Sequence, residues 1–212
     1  MENPIMLLCD IGNTSYHFYD ENRDYKEHVK SFDPSCIKEK VYYICVNKAL
    51  HVNLRSLSNW IDLSEYIDKK KYYQTMGIDR IFAVESVSDG IIIDAGSAVT
   101  VDVVKNGQFM GGFIYPGIKA MQKTYENISP ALAYSFNFEC DLDIMPKNSQ
   151  DAISYGYLKT LYSEVMSHNL PVILTGGDAL EFKKIFRDAK VDEKLIFNSM
   201  KKIILQNEDR LC

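Results

Sequence analysis

Short apolar runs separated by polar turns predict a chain of strands and helices. Seven segments are predicted to be strands: residues 6–9, 16–19, 41–46, 91–93, 99–104, 109–115 and 172–174. Such runs are typical of strands when turn residues bound them. Residues 6–9 and 16–19 flank one polar turn, so we expect them to form a hairpin.

Apolar residues at helical spacing predict four helices, over residues 80–87, 116–134, 149–168 and 178–188. Pro116 suits the first turn of its helix, where a missing N–H costs nothing. Residues 136–147 have no period and predict a loop. The basic run 69–71 predicts a solvated loop. Alternation of strands with helices indicates an α/β protein.

One short pattern occurs twice. Asp10-Ile-Gly-Asn-Thr and Asp94-Ala-Gly-Ser-Ala lie 84 residues apart, and each follows one apolar strand and precedes another. Repetition with matching strand context predicts two related lobes. We place the boundary approximately at residue 90, with an N-terminal lobe over 1–90 and a C-terminal lobe over 91–212.

Composition narrows the class of protein. The chain has 212 residues, 46% of them hydrophobic and 25% charged, which excludes a disordered chain and fits one large domain or two small lobes. Its net charge of −5 gives no sequence-wide attraction to nucleic acid or to an anionic membrane. Five cysteines without zinc-knuckle spacing, no basic leader and no long apolar run favour a cytoplasmic protein.

The Asp-x-Gly turns suit phosphate binding. Glycine lets main-chain N–H groups approach an anion, and the small polar residues that follow add donors. A carboxylate beside phosphate needs a cation or water between them, which is how magnesium is usually held. The alternative for each turn alone is a tight hairpin. The Gly176-Gly177 junction between a strand and a helix could also receive a phosphate or the flat face of an adenosine, because nothing projects from the glycines, or it could be only a tight connection.

Gly77-Ile78-Asp79-Arg80 places an acid and a base side by side before a helix. Asp79 could accept a proton from a substrate hydroxyl, and Arg80 could bind a carboxylate with two hydrogen bonds. The residues alone favour a simpler interpretation, an Asp79 helix cap beside a solvent-facing Arg80. Dinucleotide-binding, P-loop and zinc-protease motifs are all absent from the sequence.

Five ordered motifs together resemble the type III pantothenate kinases: DIGNTSYHF, MGIDRIFA, IIIDAGSAVTVD, GGFIYPG and LTGGDA. The resemblance implies the actin-like kinase fold, with two ribonuclease-H-like lobes and ATP in the cleft between them. It implies transfer of the ATP γ-phosphate to pantothenate, the first step of coenzyme A synthesis. It also implies a homodimer that requires magnesium and a monovalent cation, potassium or ammonium.

The resemblance also assigns roles to residues of this chain. The implied ATP-binding residues are Asp10, Ile11, Gly12, Asn13, Thr14, Ser15, Tyr16, His17 and Ser97. The implied pantothenate-binding residues are Tyr73 (or its neighbour Tyr72), Gly77, Ile78, Asp79, Arg80 and Ser149, with Asp79 as general base. Asp94 would bind the monovalent cation, and Asp10 would hold magnesium through water.

Three departures from the family pattern accompany these assignments. Ser97 and Ser149 replace threonines and keep only the hydroxyl, an Asn-Pro pair is missing before Met76-Gly77, and the chain is shorter than most members of the family. We therefore expect a pantothenate kinase that binds neither nucleic acid nor membrane. The alternatives are another actin-like sugar or acid kinase and a non-catalytic, ATP-binding regulatory protein.

Overall fold

The computed structural model describes residues 6–211, and the chain divides into two compact units. Unit 1 comprises the chain up to Ser86 together with the segment from Lys194 onward, and unit 2 comprises Val87–Glu193. The strands are β1 Leu7–Ile11, β2 Ser15–Tyr19, β3 Asp24–His28, β4 Val41–Cys45, β5 Trp60–Asp62, β6 Gly90–Ala95, β7 Ala98–Lys105, β8 Gln108–Pro116, β9 Val172–Thr175 and β10 Lys190–Val191. The α-helices are α1 Lys48–Leu54, α2 Ile78–Glu85, α3 Ile118–Ile128, α4 Ser149–Ser167, α5 Ala179–Lys183, α6 Leu195–Gln206 and α7 Glu208–Leu211.

Each unit contains one five-stranded sheet, and the two sheets have the same topology. The strand order is β3-β2-β1-β4-β5 in unit 1 and β8-β7-β6-β9-β10 in unit 2. The first three strands of each sheet are antiparallel, and the last two run parallel to the central strand. Asp10 and Asp94 occupy the penultimate position of the two central strands. The fold class predicted from the sequence, two ribonuclease-H-like lobes of the actin-like type, is confirmed.

Both faces of the unit 1 sheet are covered by apolar side chains. On one face, Cys9 and Tyr43 belong to a buried cluster with Trp60. On the other face, Leu8 and Ile44 pack with residues of α6. Successive strand residues point to opposite faces, so β1 is apolar on both sides and carries a single carboxylate, Asp10, at its penultimate position.

The last segment of the chain returns to unit 1. Its helix α6 buries Phe197, Met200, Ile203 and Ile204 in the cluster that also contains Leu8 and Phe82. Residues 194–212 are expected in the C-terminal lobe from the sequence, whereas the structure groups the segment from Lys194 onward with unit 1. The reason is the apolar face of α6, which covers the unit 1 sheet. The first division, after Ser86, lies four residues before the expected boundary.

The core of unit 2 lies on one face of its sheet. There α4 buries Tyr157, Leu158, Leu161 and Val165 against residues of β6, β7 and β9. The predicted helix 149–168 is confirmed as α4, whereas the predicted helix 116–134 ends at Ile128, followed by a short 3₁₀ turn, Pro130–Leu132. The predicted helix 178–188 ends at Lys183.

Several elements, most of them short, were not predicted from the sequence. These are β3, β5, β10, α1, α6 and α7, together with the 3₁₀ turns Pro34–Cys36, Leu63–Tyr66 and Lys69–Lys71. The lysines of the last turn are exposed, as expected of a solvated segment. Among residues 6–211, no helix combines the length and apolar character needed to span a membrane.

Candidate active site

The carboxylates of Asp10 and Asp94 stand at equivalent points of the two sheets. Asp10 pairs with Ile44 on one side and His17 on the other. Asp94 pairs with Thr175 and Thr100 in the same way. Both aspartates are half-buried, although the residues before and after them are fully buried. Each central strand therefore carries one half-buried carboxylate between two fully buried residues.

The turn after β1 presents polar groups to solvent. The main-chain N–H of Gly12 donates to the Ser15 carbonyl at 3.0 Å, which closes the turn. Asn13 and Thr14 lie between them with exposed side chains, and the Thr14 carbonyl accepts from the N–H of Val29 at 3.1 Å. A compact turn with exposed donors is suited to binding an anion.

The other residues of the expected ATP loop are more deeply placed. Ile11 is buried, and Tyr16 is 1% exposed, with its ring 5.0 Å from the Phe32 ring. The side chains of Ile11 and Tyr16 thus belong to the core of unit 1 rather than to its surface. The Nε2 atom of His17 donates to Asp24 at 2.8 Å, and burial lowers the pKa of this histidine.

The corresponding turn of unit 2 is held by glycines. Gly96 N–H donates to the Ala98 carbonyl at 3.0 Å, and Gly117 N–H donates to the Ser97 carbonyl at 3.1 Å. The Ser97 side chain is exposed. Gly176 has φ +86°, and a Cβ there would collide with Asp94 Oδ1 and the Ala95 carbonyl. The Gly176-Gly177 junction therefore lies directly against Asp94, a neighbour that the sequence did not reveal.

Asp79 lies at the start of α2 but does not cap it as the simpler interpretation supposed. The N-cap is Gly77, and no side chain caps this helix end. Asp79 Oδ1 accepts from the main-chain N–H of Arg80 at 2.8 Å and lies so close to Gly77 that a Cβ there would collide with it. Burial raises the pKa of Asp79, although the Arg80 N–H and guanidinium act in the opposite direction.

Arg80 is buried, not solvent-facing, with 5% of its surface exposed. Its Nη1 atom donates to the Tyr73 hydroxyl at 2.6 Å, and its guanidinium lies 5.8 Å from the centre of the Tyr73 ring. Tyr73 itself is 45% exposed. The Tyr72 hydroxyl instead donates to Glu85 at 2.7 Å. The structure thus groups Tyr73, rather than Tyr72, with Arg80 and its neighbour Asp79. The sequence could not decide between the two tyrosines, because no regular spacing connects either of them with Arg80.

Ser149 is an exposed residue of unit 2, at the first position of α4. The preceding Asn148 caps the helix, and its side chain accepts from the N–H of Asp151 at 2.9 Å. The Ser149 hydroxyl is therefore not needed as the cap of its helix.

Within residues 6–211, no three acidic, histidine or cysteine side chains form a cluster that could hold a metal ion. Asp10 and Asp94 instead each lie near the end of a different central strand. Magnesium is commonly held by one or two carboxylates together with substrate phosphates, so a single aspartate fits an ion that arrives with a nucleotide. Asp94 Oδ1 and the Ala95 carbonyl, which both border Gly176, are oxygen donors suited to a hard cation.

Comparison with known proteins decides the family. A model of the type III pantothenate kinase family matches residues 38–168. A curated protein of Sulfurimonas denitrificans named type III pantothenate kinase is 61% identical over 199 residues, which cover 94% of this chain and 97% of that protein. This chain belongs to the type III pantothenate kinases. A Campylobacter jejuni member of the family is 40% identical over 208 residues, which cover 97% of this chain and 100% of that protein.

Solved structures agree with the fold. A Campylobacter jejuni structure, described as a Baf family transcriptional activator, has 38% identity and a TM-score of 0.86, covering 96% of this chain and 100% of its own. A Sinorhizobium meliloti structure described as a 2-dehydro-3-deoxygalactonokinase has 9% identity and a TM-score of 0.55, with coverage of 95% and 96%. At that identity, the second structure supports the fold alone.

The two adjacent glycines of the 176–177 junction give a direct test of the contact with Asp94. We expect Gly176→Ala to lower the free energy of unfolding by more than about 1 kcal/mol, because it combines a positive φ with a collision. Gly177→Ala is the control, since its φ is not positive and nothing lies within 4 Å of its added Cβ. Urea denaturation of both variants measures the difference, and equal destabilisation would contradict the proposed contact.

Proposed function

We propose that this family member transfers the γ-phosphate of ATP to the primary hydroxyl of pantothenate. The observation that carries the proposal is the group of Tyr73, Asp79 and Arg80 around the start of α2. A half-buried carboxylate beside an exposed hydroxyl and a guanidinium offers a base and two donors within one short segment. Phosphoryl transfer needs positioning and charge stabilisation more than covalent chemistry, and such a group supplies the positioning.

Asp79 acts as the general base in this proposal. Its carboxylate is fixed by the Arg80 N–H, so it needs no reorganisation to accept the hydroxyl proton of pantothenate. Glycine at position 77 permits this placement, because a Cβ there would collide with Asp79 Oδ1. The base must be ionised, so activity should fall as the pH falls through the raised pKa of Asp79 and should persist above it.

Tyr73 and Arg80 recognise the acidic end of pantothenate. The Tyr73 oxygen accepts from Arg80, so its own O–H can donate to a carboxylate. The positive guanidinium nearby favours an anion over a neutral alcohol. Gly77 and Ile78 would complete this subsite, and in the homodimer proposed below Ser149 would contribute its hydroxyl to the subsite of the partner subunit.

ATP is bound, in the same proposal, by main-chain donors and small side chains. These are the main-chain N–H groups of the turn Gly12 to Ser15 and the hydroxyl of Ser97. Asp10 would hold magnesium through water, and Asp94 would bind potassium or ammonium. The two ions would supply positive charge that balances the charge of the phosphates. A cytoplasmic location suits an enzyme that consumes ATP.

We also propose that the enzyme is a homodimer. The edge strand β8 exposes Met110 and Ile114, each 60% accessible, and the nearby helix α3 exposes Ile128 at 68%. Only Ile118 of the eleven residues of α3 is buried. A helix with so little buried surface suits a face that a second copy covers.

The decisive experiment compares wild-type protein with Asp79→Asn in an ADP-release assay dependent on pantothenate. General-base catalysis is worth about 10²–10⁴-fold, so we expect kcat to fall by that order while the dissociation constant of ATP stays unchanged. Asp68→Asn is the control, because Asp68 is an exposed cap of a 3₁₀ turn in the same unit. Normal turnover by Asp79→Asn would refute the base.

The same assay separates the alternatives. A panel of sugars and acetate in place of pantothenate would identify another actin-like kinase, and release of no ADP with any of them would indicate a binding protein. The description of the Campylobacter structure as a transcriptional activator applies to that protein. The net charge of −5 gives this chain no general attraction to DNA.

The cation proposal predicts a dependence on potassium. Asp94→Asn should weaken the activation by potassium and raise the KM for ATP, because the substitution removes the negative charge that would bind the cation. Rates measured in potassium, ammonium and sodium chloride at equal ionic strength test this expectation. Equal rates of wild-type enzyme in all three salts would contradict it.

The dimer proposal predicts that a charged residue introduced on the exposed face of β8 and α3 separates the subunits. Wild-type enzyme should have twice the 24.3 kDa mass of one chain, and Ile128→Glu should shift the mass towards 24.3 kDa. Leu180→Glu is the control, since Leu180 is 63% exposed on α5 of the same unit. Light scattering after gel filtration measures the masses, and a fully active wild-type monomer would refute the proposal.

A further inference from the structure

Three side chains form a row across the sheet of unit 1. The strand register pairs Asp10 of β1 with His17 of β2, and His17 with Lys26 of β3. Directly paired residues of antiparallel strands project from the same face, with Cβ atoms about 4.5–5.5 Å apart. His17 is therefore the cross-strand neighbour of the Asp10 carboxylate. It lies near the start of β2, where the phosphate-binding turn rejoins the sheet.

The imidazole of His17 is fixed in one orientation. Its Nε2 lies 2.8 Å from Asp24 Oδ1, and a carboxylate only accepts hydrogen bonds, so Nε2 carries the proton. The ring also packs edge-on against Phe197 of α6, with 4.8 Å between ring centres. A polar bond on one side and an aromatic contact on another leave the side chain little freedom.

Asp24 is fixed in turn by Lys194, whose Nζ binds Asp24 Oδ2. This bond is the largest cause that lowers the pKa of Asp24. Lys194 lies at the N-cap position of α6, and its Nζ is also 4.8 Å from the centre of the Tyr19 ring. The beginning of the returning segment is thus attached to the hairpin that carries the phosphate-binding turn.

We propose that Lys194, Asp24 and His17 form a positioning relay that sets the β1–β2 turn for ATP. Lys194 orients Asp24, Asp24 orients His17, and His17 holds β2 beside Asp10. The proposal rests on the proposed function of this turn in ATP binding. All three are positioning residues, because they act on the nucleotide through the turn.

The same unit contains a matched pair outside this row. His51 Nε2 lies 2.7 Å from Asp62 Oδ2, joining α1 to β5, and its side chain is 28% exposed compared with 20% for His17. The two histidine–aspartate pairs have similar lengths, and the two histidines have similar exposure, although Asp62 is more buried than Asp24. Since β5 is separated from β1 by β4, the second pair does not adjoin the phosphate-binding turn.

The test measures the dissociation constant of magnesium-ATP by calorimetry and the melting temperature of each full-length variant. We expect His17→Leu, Asp24→Ala and Lys194→Met each to weaken ATP binding by about three- to tenfold, the effect of one lost hydrogen bond. His17→Gln keeps a nitrogen donor near the position of Nε2 and should bind within about twofold of wild type. His51→Leu should lower only the melting temperature. In turnover, the KM for ATP should rise while kcat and the KM for pantothenate stay constant.

Three results would overturn the relay. They are unchanged ATP affinity in His17→Leu, an effect of His17→Leu that Asp24→Ala and Lys194→Met do not share, and failure of His17→Gln to restore binding. If His17→Leu does not fold, the two substitutions at exposed Asp24 and at Lys194 still decide the matter. Wild-type protein that binds ATP but releases no ADP with pantothenate would refute the proposed function and leave the relay test intact.

Discussion

A charged group at the end of a buried central strand is the constraint on which both units depend. β1 and β6 are hydrogen-bonded on both sides and carry apolar residues until the aspartate at their penultimate position. A fully buried carboxylate is costly, which is consistent with the half-buried position of each aspartate, one residue before its strand ends. Glycine-containing turns follow at once, and the topology of both sheets brings neighbouring strand ends to the same edge. The arrangement separates a rigid apolar scaffold from the polar groups that it positions.

The start of α2 shows how the scaffold prepares chemistry. Placing Asp79 in a half-buried position costs hydration free energy, and the raised pKa measures that cost. The hydrogen bond from Arg80 offsets part of it and fixes the carboxylate. Arg80 in turn reaches Tyr73. A single helix start thus sets the orientation of both an acid and a hydroxyl.

Much of the fold followed from local patterns because buried strands are strongly apolar. The hairpin of β1 and β2, the strands β6 to β9 and helix α4 were all predicted, and the repeated Asp-x-Gly pattern indicated the duplication. β3 was missed because its sequence, Asp-Tyr-Lys-Glu-His, is nearly all polar and forms a sheet edge. The role of α6 was missed because its apolar face gives no indication of which distant sheet it covers.

The features of the candidate site also fall into those that the sequence predicted and those that it could not. Motifs located Asp10, Asp79 and Asp94, whereas contacts that bring together distant residues could not be read from the sequence. Gly176 beside Asp94 and the choice between Tyr72 and Tyr73 are of this kind. The simpler interpretation of Asp79 as a cap was wrong because Gly77, with no side chain to offer, occupies that position.

The return of the chain to unit 1 has a consequence for biosynthesis. Unit 2 is one continuous segment, so all of its residues are translated before α6. Leu8, Ile44 and Phe82 of unit 1 are covered by α6, so their cluster can be completed only after unit 2 has been translated. Unit 1, whose strands are translated before those of unit 2, is therefore the later of the two to complete its core.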